Sequence, residues 1–167
     1  SWYWYVVAIF LEPARWLLAL GIDRVLGRSY ELGPMPVKVV LGSAPAFMLV
    51  VAVVFTLPNA IGEEIGWRGF ALPRLQACRG AFVASLVLGV FWGLWHVPAW
   101  IGQGLSLGFG SMTVRVLGLV ATAFVFTWIY NGTAGSLVPV VVYHASIAVK
   151  NYLFPGLATQ TDEILLW

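Results

Sequence analysis

The sequence predicts an all-α, polytopic membrane helix bundle of about five to six transmembrane or re-entrant helices, and three observations predict it. Nine Lys and Arg with seven Asp and Glu make up only 10% of 167 residues, against roughly a quarter in a soluble domain. The hydrophobic fraction is 60% and the mean hydropathy +0.89, more apolar surface than one core of this size can hide from water. The apolar residues also fall into long runs bounded by Gly, Pro or charge, several near the roughly 20 residues that a helix needs to cross hydrocarbon. The expected location is therefore the cell membrane, as an integral multi-pass protein, with the lipid bilayer as first partner. A net charge of +2 and a pI near 8.9 reflect two extra basic residues and no basic run, which argues against nucleic acid as a partner.

The first run, 2–20, is interrupted by Glu12, Pro13 and Arg15, so it reads either as a shortened span or as an interfacial helix rich in Trp and Tyr. A polar connector follows at 21–36, with Asp23, Arg24, Arg28 and Glu31. The next span covers 37–57 and is punctuated by Pro58 and Asn59. Residues 60–77 mix apolar positions with Glu63, Glu64, Arg68 and Arg74, the anomaly of the chain. After Arg79 and Gly80 a strong span, 81–101, carries Trp92, Trp95, His96 and Trp100. A Gly- and Ser-rich loop at 102–111, a span at 113–130, a turn at 131–135 and a last span at 136–154 complete the pattern. There is no internal repeat and no second domain: 1–167 reads as one membrane domain, with 1–36 as N-terminal helix and connector, 37–154 as core and 155–167 as a short tail. The chain begins Ser1-Trp2 with no basic stretch before its first apolar run, so no secretory signal peptide is expected. The single cysteine, Cys78, forms no internal disulfide and reads as a small buried hydrophobe. By the positive-inside rule the Arg74 and Arg79 connector is expected to be cytoplasmic and the 102–112 loop outside, which conflicts with Arg24, Arg28 and Lys38 before the second span unless the segment around Glu63 re-enters or forms its own short leg.

A charge inside a bilayer costs at least about 2.5 kcal/mol, so each embedded ionisable group needs a reason. Arg115, one turn inside its span, and Lys150, near the end of its own, are expected to snorkel to the interface. Glu64 and Arg68 are four apart on a helix, acid first, and can neutralise one another. The same spacing places Glu63 over Trp67, which leaves Glu63 as the acid without a cation. A plainer reading sets both carboxylates at a helix N-terminus after Asn59, favoured by the dipole. His96 shares a face with Gly89, Trp92 and Gly93, whose small-xxx-small spacing suits close helix contact. His144 lies between Val140 and Ala148 on another apolar face. Each histidine alone could be a satisfied polar residue. Two imidazoles and a carboxylate on separate segments are also a catalytic zinc ligand set with an open position, so Glu63, His96 and His144 could hold a water or a divalent metal such as zinc.

The segments Glu63-Glu64-Ile65-Gly66-Trp67-Arg68-Gly69-Phe70, Trp92-Gly93-Leu94-Trp95-His96-Val97-Pro98 and Gly135-Ser136-Leu137-Val138-Pro139 leading to His144 resemble the CAAX-prenyl-protease and bacteriocin-processing (ABI) family over 37–154. These are multi-pass intramembrane endopeptidases. The resemblance implies that Glu63 activates the attacking water with His96. It also implies that Glu64 and Arg68 support the site, and that His144 binds the water, a metal or the developing oxyanion; whether zinc takes part is left open. Two positions depart from the family's pattern. Trp92 stands where Phe is usual, which keeps an aromatic wall. Ala148 stands where Asn or Asp is usual, and alanine cannot donate to an oxyanion; losing one such donor costs about 2.7–4 kcal/mol. Asn151 is roughly 10.5 Å along the helix from His144, too far to substitute. Either another donor acts, or turnover is slow or absent.

The leading expectation is thus an endopeptidase acting on a membrane-associated peptide or protein. The alternative is a catalytically silent relative acting as an immunity, scaffold or peptide-binding protein, and a third is a small proton-coupled transporter. Other intramembrane protease chemistries fit less well: the only Asp residues, Asp23 and Asp162, lie outside the spans, no H-E-x-x-H occurs, and no nucleophile motif surrounds Ser136. The sequence sets neither the substrate nor the oligomeric state.

Overall fold

The computed structural model describes residues 1–27, 45–105 and 108–153, and every regular element within them is helical. The order is α1 (Tyr3–Val25), α2 (Pro45–Glu64), a π-helical segment (Ile65–Ala71), α3 (Leu72–Trp95), a short α4 (Val97–Gly102), α5 (Phe109–Gly132) and α6 (Leu137–Leu153). Residues 28–36 of the predicted connector, 37–44 of the predicted second span and the tail at 155–167 lie outside the described residues.

The interrupted first run is one helix of 23 residues, extending to Val25 into what the sequence marked as connector. Its breakers are compatible with this. Glu12 is buried and accepts from Arg15 twice, from Nε at 2.9 Å and Nη2 at 2.5 Å, one turn away. Pro13 removes one backbone donor without ending the helix. Pro58 behaves likewise: α2 runs through it to Glu64, where the sequence suggested a stop. Glu63 and Glu64 therefore close a helix rather than begin one, and the N-terminal dipole reading of this pair is overturned. The backbone then widens into the π-helical turn around Arg68, a distortion that commonly marks functional positions. In α3 the break falls at Gly80, whose φ of 75° and ψ of 168° leave the helical region, so the segment kinks just before the predicted start at 81.

Two described stretches, Val53–Gly102 and Phe109–Gly132, are long and apolar enough to cross a bilayer, and Leu137–Ala148 is a shorter apolar helix. Residues 53–102 thus continue as one helical stretch where the sequence suggested separate segments. The partition is inside out relative to a soluble protein. Phe55, Phe91, Leu94 and Trp95 face outward, while Glu12, Glu64, Arg68, Ser85, Arg115 and Thr127 are buried. An exterior of large apolar side chains around buried polar groups is suited to lipid.

α3 and α5 pack along the stripe the sequence marked. A Cβ on Gly89 would stand 2.6 Å from the Val120 Cα, and one on Gly93 would stand 3.3 Å from the Val116 Cα, so only glycine permits this approach at Gly89. Farther along, Ser85 donates to Thr127 at 2.7 Å, and Gln76 and Asn131 exchange side-chain hydrogen bonds at 3.2 and 2.8 Å. α6 returns against α1, α2 and α5. Its entry is fixed by Gly135, at φ 85°, whose N–H donates to the Tyr130 carbonyl at 2.9 Å. Gly69 receives Leu137, whose Cδ1 lies 3.0 Å from where a Cβ would stand, and so the π segment seats the beginning of α6.

Two expectations fail at the level of side chains. Arg115 does not snorkel: it is 4% exposed, turned into the protein beside Trp100. Cys78 is exposed rather than buried, because it lies on the outer side of α3 before the kink. The Lys150 side chain lies outside the described residues.

Candidate active site

The π segment, the end of α2, the C-terminal half of α3 and the middle of α6 bring Glu63, Glu64, Arg68, Trp92, His96 and His144 into one connected cluster. Its fixed point is Glu64, fully buried, whose Oε1 accepts from Arg68 Nη1 at 2.8 Å and from His144 Nδ1 at 2.6 Å. The Glu64–Arg68 pair expected from the i, i+4 spacing is therefore present, with a second donor that the spacing could not reveal. An ionised carboxylate only accepts, so His144 carries its proton on Nδ1 and turns Nε2 away from Glu64. The Arg68 guanidinium lies 3.9 Å from the Phe126 ring centre and 4.9 Å from that of Trp92, so aromatic faces surround a cation that water does not reach. Glu64 Oε2 and Arg68 Nη2 are buried with no hydrogen-bond partner, leaving one polar edge of the pair unused.

Trp92 joins the two halves of the cluster. Its indole N–H donates to Glu63 Oε2 at 2.6 Å, a contact that phenylalanine could not make. The same indole meets the His96 ring edge-on at 5.2 Å between centres and the His144 ring at 5.7 Å. His96 Nδ1 lies 2.8 Å from the Trp92 carbonyl; since a carbonyl only accepts, the proton is on Nδ1 and the Nε2 lone pair is free. Glu63 is half-buried and forms no salt bridge among the described residues, although it interacts electrostatically with the Arg68 guanidinium. With Glu64 balanced by Arg68, the cluster retains the negative charge of Glu63.

Among the described residues no group of three or more His, Cys, Asp or Glu side chains is placed to hold a metal ion. What the cluster offers is a carboxylate pinned by one oxygen and two imidazoles held through Nδ1. Ala148, one turn beyond His144, adds no donor.

Phe126 escaped the sequence reading. Fully buried on α5, it packs edge-on against Trp92 at 5.5 Å, His144 at 5.6 Å and Tyr143 at 5.0 Å. The available signal was its helical register with Leu119 and Ala123, but in an apolar span that register does not distinguish one phenylalanine from the next.

A sequence model described as "Type II CAAX prenyl endopeptidase Rce1-like" matches residues 45–149, a stretch that includes every member of the cluster. CAAX prenyl protease 2 of Methanococcus maripaludis is 26% identical over 125 residues, covering 71% of this chain and 43% of that protein. The chain thus spans less than half the length of this relative. No solved structure matches.

Proposed function

Because the chain belongs to the Rce1-like family of type II CAAX prenyl endopeptidases, we propose that it is an intramembrane endopeptidase that hydrolyses a peptide bond in a membrane-associated peptide or protein. The observation that carries this reading is the shared indole: Trp92 holds Glu63 by one oxygen and contacts both His96 and His144.

A water between Glu63 and His96 gives a proton to the free Glu63 oxygen while His96 Nε2 accepts its second hydrogen bond. The water oxygen attacks the carbonyl carbon, and the negative charge moves to the carbonyl oxygen. With a proton on each ring nitrogen, His144 donates from Nε2 to that oxygen while Nδ1 stays on Glu64. When the tetrahedral species collapses, the C–N bond breaks and the leaving nitrogen takes the proton held by Glu63. Every proton returns to a product, and no step needs an oxidant or reductant.

The relative's printed name supplies the substrate class: a C-terminal Cys-a-a-X box bearing a prenyl chain. Cleavage on the carboxyl side of that cysteine releases a tripeptide. In this reading one membrane domain crosses or re-enters the cell membrane five to six times, consistent with the apolar exterior. The test is cleavage of a prenylated CAAX peptide by the protein in liposomes, with Glu63→Gln and His96→Ala each expected to abolish it. Retained cleavage in either variant rejects the assigned chemistry.

Ala148 favours a second reading, in which the same cluster binds such a peptide without turning it over. Binding of the peptide with no product, in the unmodified protein, selects that reading.

A further inference from the structure

Arg115 stands apart from the mechanism above. It is 4% exposed, and its Nε and Nη1 are buried with no hydrogen-bond partner. No carboxylate pairs with it among the described residues, and its nearest aromatic face, Trp100, is 5.9 Å from the guanidinium carbon, the outer limit for a cation–π contact. Buried charges are otherwise matched in this protein: Arg15 with Glu12, Arg68 with Glu64. A guanidinium in an apolar helix with an unused donor fork is arranged for a planar anion that arrives from outside.

Its position is fixed by the α3–α5 contact. The next residue, Val116, packs on Gly93, one turn before His96. The His96 and Trp100 rings are 6.0 Å apart and the Arg115 guanidinium 5.9 Å beyond, which bounds the separation of Arg115 from the His96 ring at about 12 Å. An extended tripeptide, at roughly 3.3 Å per residue, reaches about 10 Å.

We propose that Arg115 binds the C-terminal carboxylate of the substrate, with the scissile bond at Glu63 and His96 and the three terminal residues spanning the interval between them. This rests on the endopeptidase reading for the identity of the peptide, but carboxylate binding itself needs no turnover. The site then measures the distance from the chain end to the cut, and it selects a free terminus over an internal segment of the same sequence.

The test compares a farnesylated CAAX tetrapeptide carrying a free carboxylate with its C-terminal amide. Binding is read by tryptophan fluorescence on the detergent-solubilised Glu63→Gln protein, which prevents turnover. The acid is expected to bind at least about tenfold more tightly than the amide, as for loss of a charge-assisted hydrogen bond. Arg115→Gln should bring the acid to the affinity of the amide, and Arg115→Lys should restore part of the difference. Equal binding of acid and amide, or a preference that survives Arg115→Gln, overturns the proposal. Should Arg115→Gln fail to fold, the acid and amide comparison with Arg115 present still decides it. Cleavage of the acid peptide by the unmodified protein is scored separately: its absence with Arg115-dependent binding intact rejects the endopeptidase reading and supports this one.

Discussion

Removing Glu64 perturbs the cluster at its most connected point. The Glu64→Ala variant deletes the acceptor of two charge-assisted hydrogen bonds, from Arg68 at 2.8 Å and His144 at 2.6 Å, and leaves the guanidinium buried without a counter-charge. Breaking a buried pair in this way costs about 3–5 kcal/mol. The upper part of that range applies because Arg68 is 1% exposed and has no route to water. For a chain of this size each kcal/mol lowers the melting temperature by roughly 2–4 °C, so a fall of about 8–20 °C is expected.

Most of the loss comes from the orphaned charge and not from the missing contact, which sets the expected behaviour of the double variant. Arg68→Met keeps an apolar side chain against Phe126 and Trp92 and removes the cation. Glu64→Ala combined with Arg68→Met should therefore be more stable than Glu64→Ala alone, with a coupling of at least about 2 kcal/mol in the double-mutant cycle. The assay is thermal unfolding in detergent, followed by tryptophan fluorescence, on the unmodified protein, both single variants and the double variant. Additive effects, or a Glu64→Ala protein that melts within a degree or two of the parent, refute the buried pair as the anchor of the site.

Trp92→Phe preserves the aromatic wall but removes the donor to Glu63; kcat for CAAX-peptide cleavage should fall by about tenfold with KM changed less than twofold, the lower end for a hydrogen bond to a charged group. An unchanged kcat shows that the indole N–H does not position the carboxylate. Gly89→Leu places a side chain where a Cβ alone meets the Val120 backbone at 2.6 Å, so α3 and α5 must separate, and a loss of about 1–3 kcal/mol or more in thermal stability is expected. Gly102→Leu, at a position with open space around it, is the control and should melt as the parent does. Ala148→Asn introduces a donor one turn beyond His144, and turnover should rise by up to about a hundredfold if an oxyanion donor is the missing part; no rise excludes that position from the oxyanion site.

The sequence made those parts legible that depend on local spacing or on scarcity. Glu64 with Arg68 follows from a four-residue interval, and the Gly89 and Gly93 contact from another. Glu63 stands out because so few acids lie in apolar runs. Parts that depend on the relative placement of separate helices were not legible. The bond from Trp92 to Glu63 spans 29 positions and the one from His144 to Glu64 spans 80, and nothing near either donor marks its acceptor. Pro58 misled because proline reads as a stop, whereas a helix with other favourable packing tolerates the loss of one backbone bond. Arg115 misled for a related reason: snorkelling is the inexpensive fate of a cation one turn inside a span, and only three-dimensional packing shows its stem turned toward Trp100.

The buried charges of the described helices then sort by partner. Glu12 goes with Arg15 and Glu64 with Arg68, each pair closed within one turn of its own helix, so neither requires anything from outside. Glu63 and Arg115 have no such local partner, and they have opposite signs. Glu63 lies against Trp92 and Arg115 beside Trp100, and no salt bridge joins the two. A membrane protein that needed only stability would have paired or replaced Arg115, since burying a lone charge is costly. In the proposed complex the peptide's terminal carboxylate is the anion for Arg115, and its scissile carbonyl takes the water that Glu63 deprotonates. On this logic charge-removing substitutions at the two positions separate cleanly. Glu63→Gln stops hydrolysis and leaves binding of the free acid, whereas Arg115→Gln brings binding of the free acid down to that of the amide.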